Sequence, residues 1–187
     1  NQMKEILGIP QHAKGKIELA RAFKDRLKDY RPVPPVEVDS GPILENVQQG
    51  TQVDVLKFPT PRWHELDGGR FIGTGHGVVT MDPDSLLTNS GTYRVMIHDR
   101  GVLGCYMSPG RHGLIHCMKY WEKGRNAPVA IVCGYEPSLF VASGNAVATG
   151  VSEYDFAGWL RNGPIEIVRA PVTGLPVPAH AEIVIEG

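Results

Sequence analysis

The chain lacks any apolar run near the roughly 20 residues that span a bilayer. No signal-peptide pattern is visible. Cysteine is scarce: Cys105, Cys117 and Cys133 are odd in number and none stands in CxxC spacing. That argues against a disulfide framework and a zinc knuckle, and it fits a reducing cytoplasm. No run of Lys or Arg marks a nucleic-acid or membrane surface, and the formal net charge is −1. No GxGxxG loop sits in a βαβ setting, so a dinucleotide fold has little support. Repeats and low-complexity tracts are missing too.

Glycine and proline are abundant instead, 22 and 15 residues of 187. They fall mainly between apolar runs, where they read as turns of a strand-rich fold. Hydrophobic residues at 42% and charged residues at 21% are ordinary globular values. The length suits one good core with a small appendage. Beginning at Asn1 and ending at Gly187 just after an apolar run, the chain reads as a cut from a longer polypeptide.

Residues 14–30 carry the clearest helical pattern. Ala20, Phe23, Leu27 and Tyr30 recur on one face, with Arg21, Lys24, Asp25, Arg26 and Lys28 on the other. Pro32, Pro34 and Pro35 then stop the helix. Residues 1–40 are expected to form a helical arm or the remnant of a preceding domain, and 41–187 the main domain. Strands are expected at 53–56, 71–80, 92–98, 102–107, 165–169 and 182–185. Val129 to Cys133 is a continuous apolar run, as in a strand buried on both faces. Helices are expected at 112–121, at 137–142 with Pro137 leading, and at 152–160 with Ser152 as N-cap. Leu114, Ile115, Met118 and Trp121 form the apolar stripe of the first of these. The class is α+β.

Several polar residues stand in glycine-bearing segments. Asn89 opens Asn89-Ser90-Gly91-Thr92-Tyr93-Arg94 and fits either an Asx turn or a neutral oxygen ligand. Arg94 offers a planar, always charged guanidinium. Arg111 and His112 follow Pro109-Gly110 at a helix start, where an imidazole can face an anion or a metal. His116 is one turn on, but Gly113 stands where HExxH would need glutamate, which argues against zinc protease chemistry. Glu153 sits in the first turn of a helix, favourable for a carboxylate by itself. An amide oxygen, an imidazole and a carboxylate together suit Mn²⁺ or Mg²⁺. The glycines of Gly68 to Gly75 allow close approach of a flat or phosphorylated ligand, or mark strand bulges. Trp63, Tyr93 and Met107 fit an apolar wall or ordinary core.

Taken in order, these segments resemble the cofactor-binding domain of the UbiD family of prenylated-FMN-dependent decarboxylases. The resemblance runs from Pro61 to Ile72 (PRWHELDGGRFI), through Asn89 to Arg94, Lys119-Tyr120, Pro128 to Ala130 and Gly150 to Glu153. It ends in Val177 to Gly187 (VPAHAEIVIEG). It implies a split β-barrel binding prenylated FMN, with flanking helices. It implies that Asn89, His112 and Glu153 hold Mn²⁺ or Mg²⁺ at the flavin phosphate. K⁺ (or Na⁺) would lie near the backbone of Ala142, Ser143, Gly144 and Asn145. Thr74, Ser90, Thr92 and Arg111 would line the cofactor, and Arg94 would be the catalytic arginine.

The implied reaction is reversible, non-oxidative decarboxylation of an aromatic or α,β-unsaturated carboxylic acid. A flavin prenyltransferase would supply the cofactor, and the family implies a homo-oligomer. The family's two partner glutamates are expected beyond Glu186-Gly187, and Glu182 and Glu186 are not their counterparts. Two other readings fit the residues: a non-catalytic subunit that keeps the barrel, and a plain FMN-binding reductase, which would need no Asn/His/Glu trio.

Overall fold

A computed structural model describes residues 2–73 and 75–187. Among the described residues ten strands fall into three sheets, with helices at their flanks, giving the expected α+β class. The central sheet is antiparallel, in the order β10 (Ile183–Glu186), β7 (Ala130–Cys133), β3 (Gly77–Met81), β4 (Thr88–Gly91). On one side lies the sheet β1 (Val36–Glu37), β8 (Glu166–Arg169), β9 (Pro176–Pro178). The third sheet is β2 (Arg70–Gly73), β5 (Arg94–Asp99), β6 (Val102–Tyr106).

Alternation along the central strands explains this layering. Successive side chains of a strand point to opposite faces. Val79, Ala130 and Val132 pack with Val168, Leu175 and Val177 from the β8–β9 side. Val78 and Ile131 pack the other way, against Val95 of β5. The apolar run of β7 is therefore buried on both faces, as its composition implies. A third cluster joins α4 (Pro137–Ser143) and α5 (Glu153–Arg161) to β8 through Leu139, Tyr154, Ala157 and Ile167.

Some expectations are corrected. Residues 53–56 do not form a strand; Gly50–Gln52 and Val55–Lys57 are 3₁₀ turns. The Asp54 side chain caps the second turn by accepting from the Leu56 N–H, a local bond that competes with strand pairing. The stretch 71–80 is two strands in different sheets, separated at Gly73, whose φ of +141° suits glycine alone. Thr88–Gly91 is strand β4 rather than a turn at Asn89. Pro176–Pro178 is also a strand; it lies at a sheet edge, where a missing N–H is tolerated.

Helix α3 (His112–Glu122) faces opposite to its apolar stripe. Gly113, His116, Cys117 and Tyr120 are buried, whereas Ile115, Met118 and Trp121 are exposed. Cys117 and Tyr120 give the buried face its apolar contact, and His116 adds a buried hydrogen bond to Thr80.

The N-terminal segment carries α1 (Gln2–Ile6) and α2 (Gly15–Leu27), and α2 buries no residue. Its anchor is polar. Arg26 donates to the carbonyls of Trp159 and Leu160 and stacks 4.4 Å from the Trp159 ring centroid. A cation at the C-terminal end of α5 satisfies free carbonyls and complements the helix dipole. Among the described residues no helix is long and apolar enough to cross a membrane.

Gly158 of α5 lets the Pro-rich linker lie flat on the helix. A Cβ there would sit 2.3 Å from the Val33 carbonyl oxygen. Gly158→Ala is expected to cost about 1–3 kcal/mol of stability, the usual range for overpacking. Denaturant unfolding checks this; an unchanged midpoint would show that the linker yields freely.

Candidate functional site

The site lies at the free edge of β4. That strand pairs with β3 on one side only. On the other side, the Ser90 N–H donates to Glu153 Oε2 at 2.8 Å, and the Thr92 N–H donates to the Ser143 carbonyl at 3.3 Å. The first residue of α5 and the last residue of α4 thus cover an edge that would otherwise expose unpaired groups. Ser152 Oγ accepts from the Tyr154 N–H and starts α5, as expected from its N-cap position.

A cavity of about 510 Å³ opens here. Asn89, Thr92, Arg94, Arg111, His112, Ser143, Asn145 and Glu153 all line it. Ser90 and Ala142 do not; both are buried behind the wall. Ser90 Oγ is held 2.8 Å from Ser143 Oγ. Thr74 lies outside the described residues. His112 and His116, one turn apart, part ways. His112 lines the cavity, while His116 is buried and sits 3.1 Å from Thr80 Oγ1.

Glu153 is the one carboxylate among the described residues lining the cavity. Burial pushes it up to about 7, against the Ser90 N–H and its own N–H, which pull it down. Among the described residues no Lys, Arg or His forms an ion pair with it. A buried carboxylate with such a deficit, next to an amide and an imidazole, fits a hard or borderline cation. Among the described residues no three His, Cys, Asp or Glu side chains converge, so a thiolate-type site is not formed there.

Backbone dipoles reinforce this pattern. His112 and Glu153 are the first residues of α3 and α5, so two helix N-termini face the cavity, which favours an anion. Ser143 to Asn145, at the C-terminal end of α4, present the opposite polarity.

Helix α3 is braced from below. Lys119 Nζ lies 2.5 Å from Asp82 Oδ2 at the β3–β4 turn. Burial would raise Asp82, but the Lys119 bond and the N–H groups of Asp84 and Ser85 outweigh it and hold the carboxyl at about 2. Lys123 also pairs with Asp84.

Tyr93, Tyr106 and Ser108 line the cavity as well. Tyr106 escaped notice, although it stands directly opposite Arg94 in the β5–β6 hairpin. A bulge between Ile97 and Asp99 sets that register; the two-residue connection Arg100-Gly101 alone would place Met107 opposite Arg94, so the sequence did not carry it. Trp63 is exposed, so it is not core. A larger cavity, about 710 Å³, lies between residues 42–58 and β10, and none of the expected site residues line it. Glu182 and Glu186 do, away from Arg94, and Glu186 accepts from the N–H groups of Val172 and Thr173.

The site thus gathers an Asn/His/Glu trio and two arginines on one cavity of a three-sheet α+β domain. Residues 35–187 match the family model described as UbiD, 3-octaprenyl-4-hydroxybenzoate carboxy-lyase Rift-related domain. The chain belongs to the UbiD family. It is 36% identical over 182 residues to pyrrole-2-carboxylic acid decarboxylase of Pseudomonas aeruginosa, covering 96% of this chain and 36% of that protein. It is 36% identical over 187 residues to phenolic acid decarboxylase of Streptomyces sp. (strain D7), covering 97% and 38%. The evolved dimeric form of the UbiD-class enzyme HmfF from Pelotomaculum thermopropionicum, in complex with prFMN, superposes with a TM-score of 0.86 at 30% identity, over 100% of this chain and 42% of that one. Vanillic acid decarboxylase of Sedimentibacter hydroxybenzoicus in closed form gives 0.86 at 30%, over 97% and 39%. The chain thus spans little more than a third of the length of these relatives.

Glu153 also governs a pH effect. Its folded value of about 7 lies above the ordinary 4.5, so the folded, metal-free protein prefers the protonated form. Below 4.5 both states are protonated and no penalty arises; the penalty grows as pH rises and is complete above about 7. Metal-free Glu153→Gln is therefore expected to be more stable than the parent at pH 8, by about 3–4 kcal/mol at roughly 1.4 kcal/mol per unit. The gap should close toward pH 4.5. Denaturant unfolding at both pH values checks this, and a gap independent of pH would contradict it.

Proposed function

We propose that this chain is the cofactor-holding part of a prenylated-FMN-dependent decarboxylase. Its substrate would be an aromatic or α,β-unsaturated carboxylic acid, and the reaction reversible and non-oxidative. The carrying observation is that Asn89, His112 and Glu153, far apart in sequence and borne on three elements, line one cavity with Arg94 and Arg111. Family membership and the decarboxylase relatives support the reaction class. The prFMN in the HmfF structure supports the flavin.

Asn89, His112 and Glu153 would hold Mn²⁺ or Mg²⁺. A dianionic phosphate needs cationic compensation, and the metal, Arg111 and the two helix N-termini would provide it. The C-terminal end of α4 suits K⁺ or Na⁺. When bound, the modified flavin supplies the electron sink for loss of CO₂. The protein's part is orientation and electrostatics. Arg94 would fix the substrate carboxylate through paired N–H donors. Phe71 lies 5.9 Å from its guanidinium and Tyr106 stands opposite on β6, so the arginine is flanked by aromatic rings. Glu153 serves the metal in this reading, so the proton donor is expected outside the described cavity. A flavin prenyltransferase would supply the cofactor, and assembly as a homo-oligomer is expected.

Metal content by elemental analysis and the spectrum of the released flavin test this reading. His112→Ala and Glu153→Ala are expected to lose the divalent metal and to bind flavin at least about 10-fold more weakly. Unchanged flavin affinity in both would favour a plain flavin-binding barrel. Arg94→Lys keeps the charge but loses the paired donors. It is expected to retain metal and flavin while decarboxylation falls by about 100-fold or more.

A further inference from the structure

Tyr93 sits between β4 and β5 with its ring in a slot that has room only for hydrogen on either wall. A Cβ built on Gly91 would lie 2.5 Å from the ring's Cζ, and one on Gly113 would lie 2.7 Å from Cε2. The two walls belong to the elements that carry Asn89 and His112. At the end of the slot, the Tyr93 hydroxyl accepts from the Gly113 N–H at 3.1 Å. A backbone amide can only donate, so the sense of that bond is fixed. The same hydroxyl oxygen lies 3.4 Å from Asn89 Nδ2.

The other donor of the Asn89 amide is engaged as well. Asn89 Nδ2 lies 3.5 Å from Thr80 Oγ1, which in turn lies 3.1 Å from His116 Nδ1. A Thr80 hydroxyl that gives its proton to a neutral imidazole keeps its oxygen free to accept from Asn89. Thr80, Asn89 and His116 are all at least 95% buried, so water does not compete. With both N–H groups of Asn89 directed at oxygens, its Oδ1 is the atom left for the cavity.

We propose that Tyr93 is a positioning residue that aims Asn89 Oδ1 at the cation, with Thr80 and His116 holding the amide from the other side. The proposal rests on the reading of Asn89, His112 and Glu153 as a metal site. An amide's oxygen and nitrogen are nearly equal in size, so only its hydrogen-bond partners prevent a flip that would present N–H to a cation.

The test is Mn²⁺ titrated into the purified protein, with free Mn²⁺ read by electron paramagnetic resonance. Tyr93→Phe keeps the ring in its slot and removes only the hydroxyl. It is expected to weaken Mn²⁺ binding by about 10-fold to 100-fold, the usual effect of losing a ligand's supporting partner. Asn89→Ala should weaken it as well, and Tyr93→Phe/Asn89→Ala should be no weaker than Asn89→Ala alone, because the hydroxyl acts through Asn89. Thr80→Val should lose affinity and Thr80→Ser should keep it. Wild-type affinity in Tyr93→Phe and Thr80→Val, with loss in Asn89→Ala, would overturn the positioning role and leave the metal site standing. A parent protein that binds no Mn²⁺ would overturn both.

Discussion

The bond from the Ser90 N–H to the buried Glu153 carboxylate is the constraint on which the site depends. It closes the open edge of β4 with the first residue of α5. In doing so it draws a carboxylate out of water with no ion-pair partner among the described residues. Such an arrangement is unfavourable as it stands and becomes favourable when positive charge arrives. The rest of the cavity follows from that docking. Helix α5 brings α4 with it through their shared core, and the C-terminal end of α4 meets the backbone of Thr92.

The opposite wall is built differently. Helix α3 leaves Ile115, Met118 and Trp121 exposed. Its inner face buries Cys117 and Tyr120 and adds polar contacts: His116 on Thr80, Lys119 on Asp82, and the Gly113 N–H on Tyr93. Buried polar bonds are directional, whereas apolar contact is not. Directional bonds of this kind fix where the start of α3, and so His112, meets the cavity. The central sheet supplies the rigid frame, since β3 and β7 are packed from both faces and cannot shift without disturbing two cores.

Much of this was legible in the sequence where local signals agreed. The alternation of Arg94 to His98, the apolar run of β7, the N-cap at Ser152 and the leading Pro137 each point to the element observed. Failures came where a longer-range partner decided. Asn89 reads as a turn residue, yet β3 pairs with its backbone and makes it strand. Val53 to Leu56 alternates, yet no neighbouring strand takes it up and Asp54 caps a turn. Leu114, Ile115, Met118 and Trp121 look like a core stripe, yet the face of Gly113, His116, Cys117 and Tyr120 is the buried one.

By itself the sequence determined the class, the order of the elements and the ordered motifs that mark the UbiD family, because those depend on local propensity, periodicity and residue identity. It also named most of the cavity's polar residues. Only the tertiary structure decided that Asn89, His112 and Glu153 share one cavity, that His116 turns away from it, and that Tyr93 stands between two of the elements. Those facts depend on which strand edge is left open and which helix end docks there. Such contacts join residues more than twenty and sixty positions apart (Asn89 with His112, Ser90 with Glu153), so no local pattern carries them.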